Sequence, residues 1–256
     1  MASCWLATEP HARQKPIWSL QTDMDLLTMT WQDVGFMHWP VEPEIVGATL
    51  PDGLAVDTYD GRAWLSVVPF QMADIRPRGS PIGRSFGELN LRTYVVADGT
   101  PGVYFYNLDA DDRLSVTLAR QLFQLSYYRA SMQIRADGDS VEFQSRRTSS
   151  RAPPADFHAT YGPTGPPETP EPDSLESFLV ERYRFYAASD DGTVYYADID
   201  HEPWPLQEGQ ADIETNGLFA ASGFDRPDGD PLVHYCDEIP VTAGRLRRLR
   251  DAAPGH

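Results

Sequence analysis

A strict alternation of polar and apolar residues over 88–95 is the most informative pattern in the chain. One face of this predicted strand carries the polar side chains Glu88, Asn90, Arg92 and Tyr94. The other face carries Leu89, Leu91, Thr93 and Val95. A face with a carboxylate, an amide, a guanidinium and a phenol either lines a polar cavity or faces water. The alternation alone leaves both interpretations open.

Similar β-rich segments recur along the chain and are separated by Asp-Gly pairs, which are typical of tight hairpin turns. These pairs are Asp60-Gly61, Asp98-Gly99, Asp137-Gly138 and Asp191-Gly192. They predict hairpins that join 54–59 to 62–70, 88–95 to 102–108, 127–135 to 140–146 and 182–188 to 194–200. This order predicts a mainly β (α+β) fold, in which an antiparallel sheet is either closed or strongly curved, with a few flanking helices.

Helices are predicted at three places. Leucines at 114, 118, 122 and 125 form the apolar stripe of a central helix. Pro43 begins a helical turn over 43–50, and Asp173 with Glu176 resembles a capping box that opens a short helix through Val180. The proline-rich segment 148–173 is interpreted as a surface connection. We therefore expect an irregular extension over 1–26, one domain over 27–243 and a C-terminal tail over 244–256.

Charge and composition narrow the setting. The formal net charge is -17, Lys15 is the only lysine among 21 basic residues, and 25 of the 38 acidic residues are aspartates. Such an acidic, lysine-poor composition is typical of adaptation to high salt, where charge repulsion is screened. No basic stripe is present to neutralise phosphates, so we expect no nucleic-acid partner. The first residues lack a secretory signal, and no apolar run could span a bilayer, so a cytoplasmic location without membrane contact is predicted.

Metal and cofactor sites have little support in the sequence. The histidines at 38, 158, 201 and 234 occur singly, without the paired spacing of metal ligands. No glycine-rich phosphate loop follows a predicted strand, and no nucleophile elbow occurs. We therefore predict neither a metal nor a cofactor. The segment 201–205 is interpreted as a rigid turn with Trp204 as a core plug, although His201 as a base or ligand remains an alternative.

Several motifs resemble the YqjF-like family of uncharacterised conserved proteins. They occur in the family's order and cover about residues 27–241. They are Trp31–Phe36, Leu50–Leu54, Glu88–Val95, Gly102–Phe105, Ala119–Phe123 with Tyr127, Ser174–Leu179, Glu181–Tyr183 and His201–Leu206. The family has no established reaction that the resemblance could carry over to this chain.

This family is similar in turn to acetoacetate decarboxylase, and the resemblance implies a strongly twisted antiparallel sheet that closes into a barrel or cone around a small acidic-ligand pocket. Those enzymes form a Schiff base through a lysine that follows a proline after a helix. In the comparable stretch this chain has Ser126 and Tyr127 instead. An imine requires a primary amine, and Lys15, which provides the one ε-amine, lies ahead of the matched region. Schiff-base decarboxylation is therefore not expected.

The candidate catalytic residues are Glu88, Arg92, Arg120 and Tyr127, and Asn90 and Tyr94 are candidate ligand-binding residues. Glu88 and Arg92 are about 13 Å apart along an extended strand, so a ligand of a few carbons would bridge them. The alternatives are solvent-facing ion pairs for Glu88 and Arg92, a surface position for Arg120 and simple packing for Tyr127.

Two functions follow as hypotheses. The first is a module that binds a small organic acid or apolar ligand without Schiff-base chemistry. The sequence leaves its oligomeric state open, and a homo-oligomer is one alternative. The second is a lysine-independent acid/base enzyme that enolises or decarboxylates a keto acid. In the second hypothesis Arg92 would clamp a carboxylate while Glu88 acts on an acidic proton. A third possibility, an interaction protein with a filled core, predicts no cavity.

Overall fold

A computed structural model describes residues 26–112, 127–189 and 191–249. Within these ranges the chain forms the strands β1 Leu27–Val41, β2 Ala55–Val56, β3 Ala63–Pro77, β4 Arg84–Ala97, β5 Thr100–Ala110, β6 Tyr127–Asp137, β7 Ser140–Arg147, β8 Asp156–Pro163, β9 Arg184–Ala188, β10 Val194–Asp200, β11 Gln207–Asn216, β12 Leu232–Ala243 and β13 Arg247–Arg248. The helices are short, namely α1 Pro43–Gly47, α2 Leu175–Val180 and α3 Leu218–Ala221. None of the described helices is long and apolar enough to cross a membrane.

Nine strands close into a barrel in the order β5-β6-β7-β8-β11-β12-β1-β3-β4, and the pairing of β4 with β5 completes the ring. The expected mainly β fold with a closed sheet is therefore confirmed. A second route closes the same sheet, because β9 pairs with β5 and β10 pairs with β12. The strands β12, β1, β3, β4 and β5 thus form a wall that both rings share.

Each of the two edge strands of this wall, β5 and β12, pairs with two different strands. On β5, residues 108–110 pair with β6, whereas Val103 and Tyr104 pair with β9. On β12, residues 234 and 235 pair with β11, whereas residues 242 and 243 pair with β10. The wall therefore has one chamber on each of its faces.

Strand alternation sends different side chains into the two chambers. One chamber holds the hydrophobic core that includes Phe36, Phe70, Phe86 and Tyr94. The other holds a core that includes Leu65, Val67, Leu89, Leu91, Phe143 and Phe157. Both faces of β4 are therefore covered, and the predicted polar face of residues 88–94 points into the first chamber.

The predicted turns and strands agree in part with the structure. Asp98 and Gly99 both have positive φ, at 48° and 72°, and they join β4 to β5 as the Asp-Gly pair predicts. The predicted hairpin at Asp60-Gly61 is wrong in its pairing, because β2 pairs with β4 and only an isolated bridge joins Tyr59 to Arg62. β11 was not predicted at all.

The predicted capping box is displaced by one residue. Ser174, not Asp173, is the N-cap of α2, and its hydroxyl accepts a hydrogen bond from the backbone N–H of Ser177. Asp173 instead has a φ of 64°, which places it in the turn before the helix. The predicted helix around Leu114–Leu125 lies outside the described residues. β13 falls within the predicted C-terminal tail, and the domain limits themselves remain a prediction.

Candidate functional site

A cavity of about 340 Å³ lies in the first chamber, against the shared wall. Its lining is mainly apolar and comes from both the wall and the strands that close the ring. Apolar members include Met29, Trp31, Met72, Phe86, Val103, Phe105, Leu108, Val180, Phe185, Ile199 and Trp204. Seven polar residues interrupt this surface, namely Arg76, Arg84, Glu88, Arg92, Tyr127, Arg182 and His201. The structure thus brings three of the four predicted catalytic residues, Glu88, Arg92 and Tyr127, to one cavity.

Glu88 is buried in the cavity wall with 3% of its surface exposed. The hydroxyl of Tyr127 donates a hydrogen bond of 2.7 Å to Glu88 Oε2. Burial raises the pKa of Glu88 to about 7, although the hydrogen bonds from Tyr127 and Asn90 oppose the rise. Glu88 therefore changes protonation state near neutral pH, as a general acid or base requires.

Arg92 is the second charged group in the cavity, with 8% of its surface exposed. Its Nη2 donates to the carbonyl of Leu179, at the end of α2, over 3.3 Å, and its Nε has no partner. Its guanidinium carbon lies 5.4 Å from the centre of the Phe36 ring. Among the described residues, no ion pair includes Arg92. A buried cation without a carboxylate is costly, so this position favours an anionic ligand.

Asn90 and Tyr94 are buried beside the cavity and do not belong to its described lining. The Oδ1 atom of Asn90 lacks a partner. The hydroxyl of Tyr94 lies 2.8 Å from Ser66 Oγ and 3.3 Å from His38 Nδ1. Tyr94 therefore belongs to a buried polar network, and ligand contact by Tyr94 and Asn90 stays a prediction.

Arg120, the fourth predicted catalytic residue, lies outside the described residues. Two histidines that are far apart in sequence, His38 and His234, do come together, with ring centres 5.6 Å apart. Even so, no group of three or more His, Cys, Asp and Glu side chains that could hold a metal occurs within the described part of the chain.

Of two further cavity residues, Arg182 was not predicted as a site residue, and His201 was predicted only as an alternative base or ligand. Arg182 pairs with Asp57 through a 2.6 Å contact and also donates to the Phe178 carbonyl. His201 stacks on Tyr183, and its Nδ1 lies 2.8 Å from the carbonyl oxygen of Glu202. Both lie within motifs that carried the family resemblance, which was the available signal. Nothing in the spacing showed that they would line the same cavity as Glu88.

Trp204 packs as the predicted core plug. Its exposed fraction is 2%, and its ring meets that of Phe36 edge-on with centres 5.0 Å apart.

Burial lowers the pKa of the neighbouring His201, so its imidazole is neutral at physiological pH. Since Nδ1 faces a carbonyl oxygen, it carries the proton, and His201 acts as an oriented neutral ring at the cavity wall.

The closed sheet and its cavity define an acetoacetate decarboxylase-like fold. An acetoacetate decarboxylase from Legionella pneumophila superposes with a TM-score of 0.63 at 14% identity, over 95% of this chain and 99% of that chain. The enduracididine biosynthesis enzyme MppR, in its complex with pyruvate, superposes with a TM-score of 0.60 at 14% identity, over 90% and 93% of the two chains. At these identities the likeness concerns the fold alone.

Similarity in sequence is more specific than similarity in fold, because it identifies one family within this fold class. The model of the family DUF2071, described as an uncharacterized conserved protein, matches residues 28–240, and the chain belongs to this family. The uncharacterized protein YqjF of Bacillus subtilis (strain 168) is 44% identical over 226 residues, which cover 87% of this chain and 92% of the relative. The resemblance inferred from the motifs is therefore confirmed.

Proposed function

We propose that the protein binds a small organic acid in the cavity beside Glu88, Arg92 and Tyr127, without Schiff-base chemistry. The observation that carries this proposal is Arg92, a buried guanidinium that takes part in no ion pair among the described residues. A carboxylate would supply the missing anion and would accept from the free Nε. Burial raises the pKa of Glu88 to about 7, so below that pH this carboxyl group is mostly neutral and supplies no anion to Arg92.

The first test compares an acid with its uncharged counterpart. Hexanoate and hexanamide have similar shapes, and titration calorimetry gives both affinities. We expect hexanoate to bind at least tenfold more tightly, because only the acid pairs with Arg92. Arg92→Met should erase that preference. An unchanged preference in Arg92→Met would contradict the proposal and leave Arg92 as a cap for the carbonyls that end α2.

Schiff-base formation has a separate test. Among the side chains, only Lys15 carries a primary amine. Borohydride added with acetoacetate or pyruvate should therefore leave the mass of the protein unchanged. A reduced adduct on Lys15 would overturn this part of the proposal.

A second candidate function is favoured by the pKa of Glu88, which burial raises to about 7. The ionised carboxylate would take a proton from the carbon next to a ketone, and Arg92 would neutralise the enolate oxygen. The carboxyl group would exchange that proton with solvent and then protonate the carbon again. NMR would detect this enolisation as deuterium uptake by 2-oxobutyrate in D₂O. Uptake that is lost in both Glu88→Gln and Arg92→Met would establish catalysis. A bound 2-oxobutyrate that stays unlabelled would favour binding alone.

The fold neighbours add support for a small oxo acid as ligand. One of the matched MppR structures is a complex with pyruvate, and the Legionella protein is an acetoacetate decarboxylase. Both names refer to small acids with a ketone group. The Arg92 cation and the titrating Glu88 would suit a ligand of that kind here.

A further inference from the structure

The cavity changes character between its floor and its mouth. The buried lining residues Glu88, Arg92 and Tyr127 expose 3%, 8% and 7% of their surfaces. At the mouth, Ile82 exposes 76% and the side chain of Arg84 exposes 51%. An acid-binding floor thus continues outward to an exposed apolar side chain.

The cavity lining between the buried floor and the exposed mouth is apolar. Phe86, Val103 and Phe185 are buried there, and Phe105 and Ile199 are half-buried. A carboxylate cannot bind favourably along such an apolar lining, whereas an apolar chain or ring can. The lining therefore matches a ligand with one charged end and an apolar body.

The strand β4 shows that this cavity is elongated. Arg84, Phe86, Glu88 and Arg92 all lie on the same face and all line it. Eight residues separate Arg84 from Arg92, which is about 27 Å along an extended strand at about 3.4 Å per residue. An acid of three or four carbons at Arg92 would leave the apolar lining near the mouth, including Ile82, uncovered.

The cations at the mouth do not compete for the carboxylate. Arg84 donates two hydrogen bonds to Asp112, and Arg76 lies 3.2 Å from Asp74. Arg182, further in, is paired with Asp57. The free Nε of Arg92 therefore fixes the orientation, with the acid group inward and the apolar end outward.

The mouth is shaped by an irregularity in the sheet. The register of β3 with β4 shifts between Met72 and Ile75, and Asp74 in between has a φ of 50°. Such a bulge turns the following side chains to a new direction, and Ile75 here lines the cavity. Gly83 fits against this bulge because a Cβ there would overlap with Asp74 Oδ1.

We infer that the ligand is an elongated amphipathic acid, with its carboxylate at Arg92 and an apolar chain or aromatic body that reaches Ile82. This inference rests on the proposed binding of acids in the same cavity. It names a class of ligand that is longer than the small oxo acids of the fold neighbours.

A series of straight-chain carboxylates tests the inference. Butyrate, octanoate, dodecanoate and hexadecanoate differ only in methylene groups, and the fluorescence of cavity residues Trp31 and Trp204 can report their binding. Each buried methylene should tighten binding about fourfold, from a transfer free energy of about 0.8 kcal/mol. Equal affinity for butyrate and hexadecanoate would overturn the inference.

Ile82→Ser and Ile45→Ser are a matched pair of variants. Both isoleucines are exposed, at 76% and 51%, but Ile45 is on α1 and outside the described cavity lining. Ile82→Ser should weaken binding of hexadecanoate severalfold and leave that of butyrate unchanged, and Ile45→Ser should alter neither. If Ile82→Ser binds hexadecanoate like the wild type, the inference fails. A series in which no acid binds, or in which Arg92→Met binds all of them normally, would instead refute the proposed function.

Discussion

The two faces of β4 serve the molecule in different ways. Leu89 and Leu91, with 1% and 0% exposure, pack into the second core together with Phe143. Glu88 and Arg92 point the opposite way, into a chamber that retains a cavity. Alternate residues of one strand therefore fill one chamber and equip the other with charge.

This difference indicates how the fold carries a costly site. Burial of Glu88 and Arg92 opposes folding, because each loses water around a polar group. Burial of the neighbouring leucines favours folding, at about 25 cal/mol per Å² of apolar surface. The stabilising leucines and the destabilising charged residues lie on opposite faces of the same strand. Packing of the leucines in the filled chamber therefore holds Glu88 and Arg92 in position in the other chamber.

The largest expected effect comes from the filled chamber. Leu91→Ala would create a cavity in the second core and should lower the free energy of unfolding by about 2–5 kcal/mol. Urea unfolding measures the loss. The remaining folded protein should still prefer hexanoate to hexanamide, because Arg92 is unchanged. A small loss, below about 1 kcal/mol, would show that the two chambers are not as different as described.

A pH effect from Glu88 is the next in size. The pKa of Glu88 rises on folding from 4.5 to about 7, so between these values the folded state keeps a proton that the unfolded chain has released. The free energy of unfolding should therefore decrease as pH rises through this window, by about 3 kcal/mol in total, and then level off. Urea unfolding at several pH values gives the slope.

Glu88→Gln removes the titrating group and should flatten this part of the profile. The exposed Glu44 supplies the control, since Glu44→Gln should keep the wild-type slope. An unchanged slope in Glu88→Gln would mean that another group is responsible.

The smallest expected effect concerns the hydrogen bond between Tyr127 and Glu88. Tyr127→Phe should cost about 1 kcal/mol and should raise the pKa of Glu88 further, because this bond favours the ionised carboxylate. NMR titration of the Glu88 carboxyl group measures that pKa. Tyr59→Phe, which removes a hydroxyl bonded to the Asp173 carbonyl, should leave the Glu88 pKa unaltered.

Sequence patterns predicted the local features of this protein well. The alternation over 88–95 showed which side chains of β4 share a face, and Asp-Gly turns located several hairpins. These signals depend on neighbours in the chain, so a single sequence contains them. The resemblance to acetoacetate decarboxylase supplied the closed sheet.

Long-range features were beyond that reasoning. The pairing of β5 with both β6 and β9 depends on residues far apart, and no local pattern marks it. The bond between Tyr127 and Glu88 spans 39 positions, and the ion pair of Arg182 with Asp57 spans 125. The pattern could therefore not choose between a polar face in water and one in a cavity, since that choice depends on ring closure.

The divided edges of the shared wall have a consequence for association. Exposed strand edges invite other chains to add to a sheet. Here the order of the described strands ends at β2 and β13, each only two residues long. Among the described strands, these two ends of the sheet therefore offer little unpaired backbone to a neighbouring molecule.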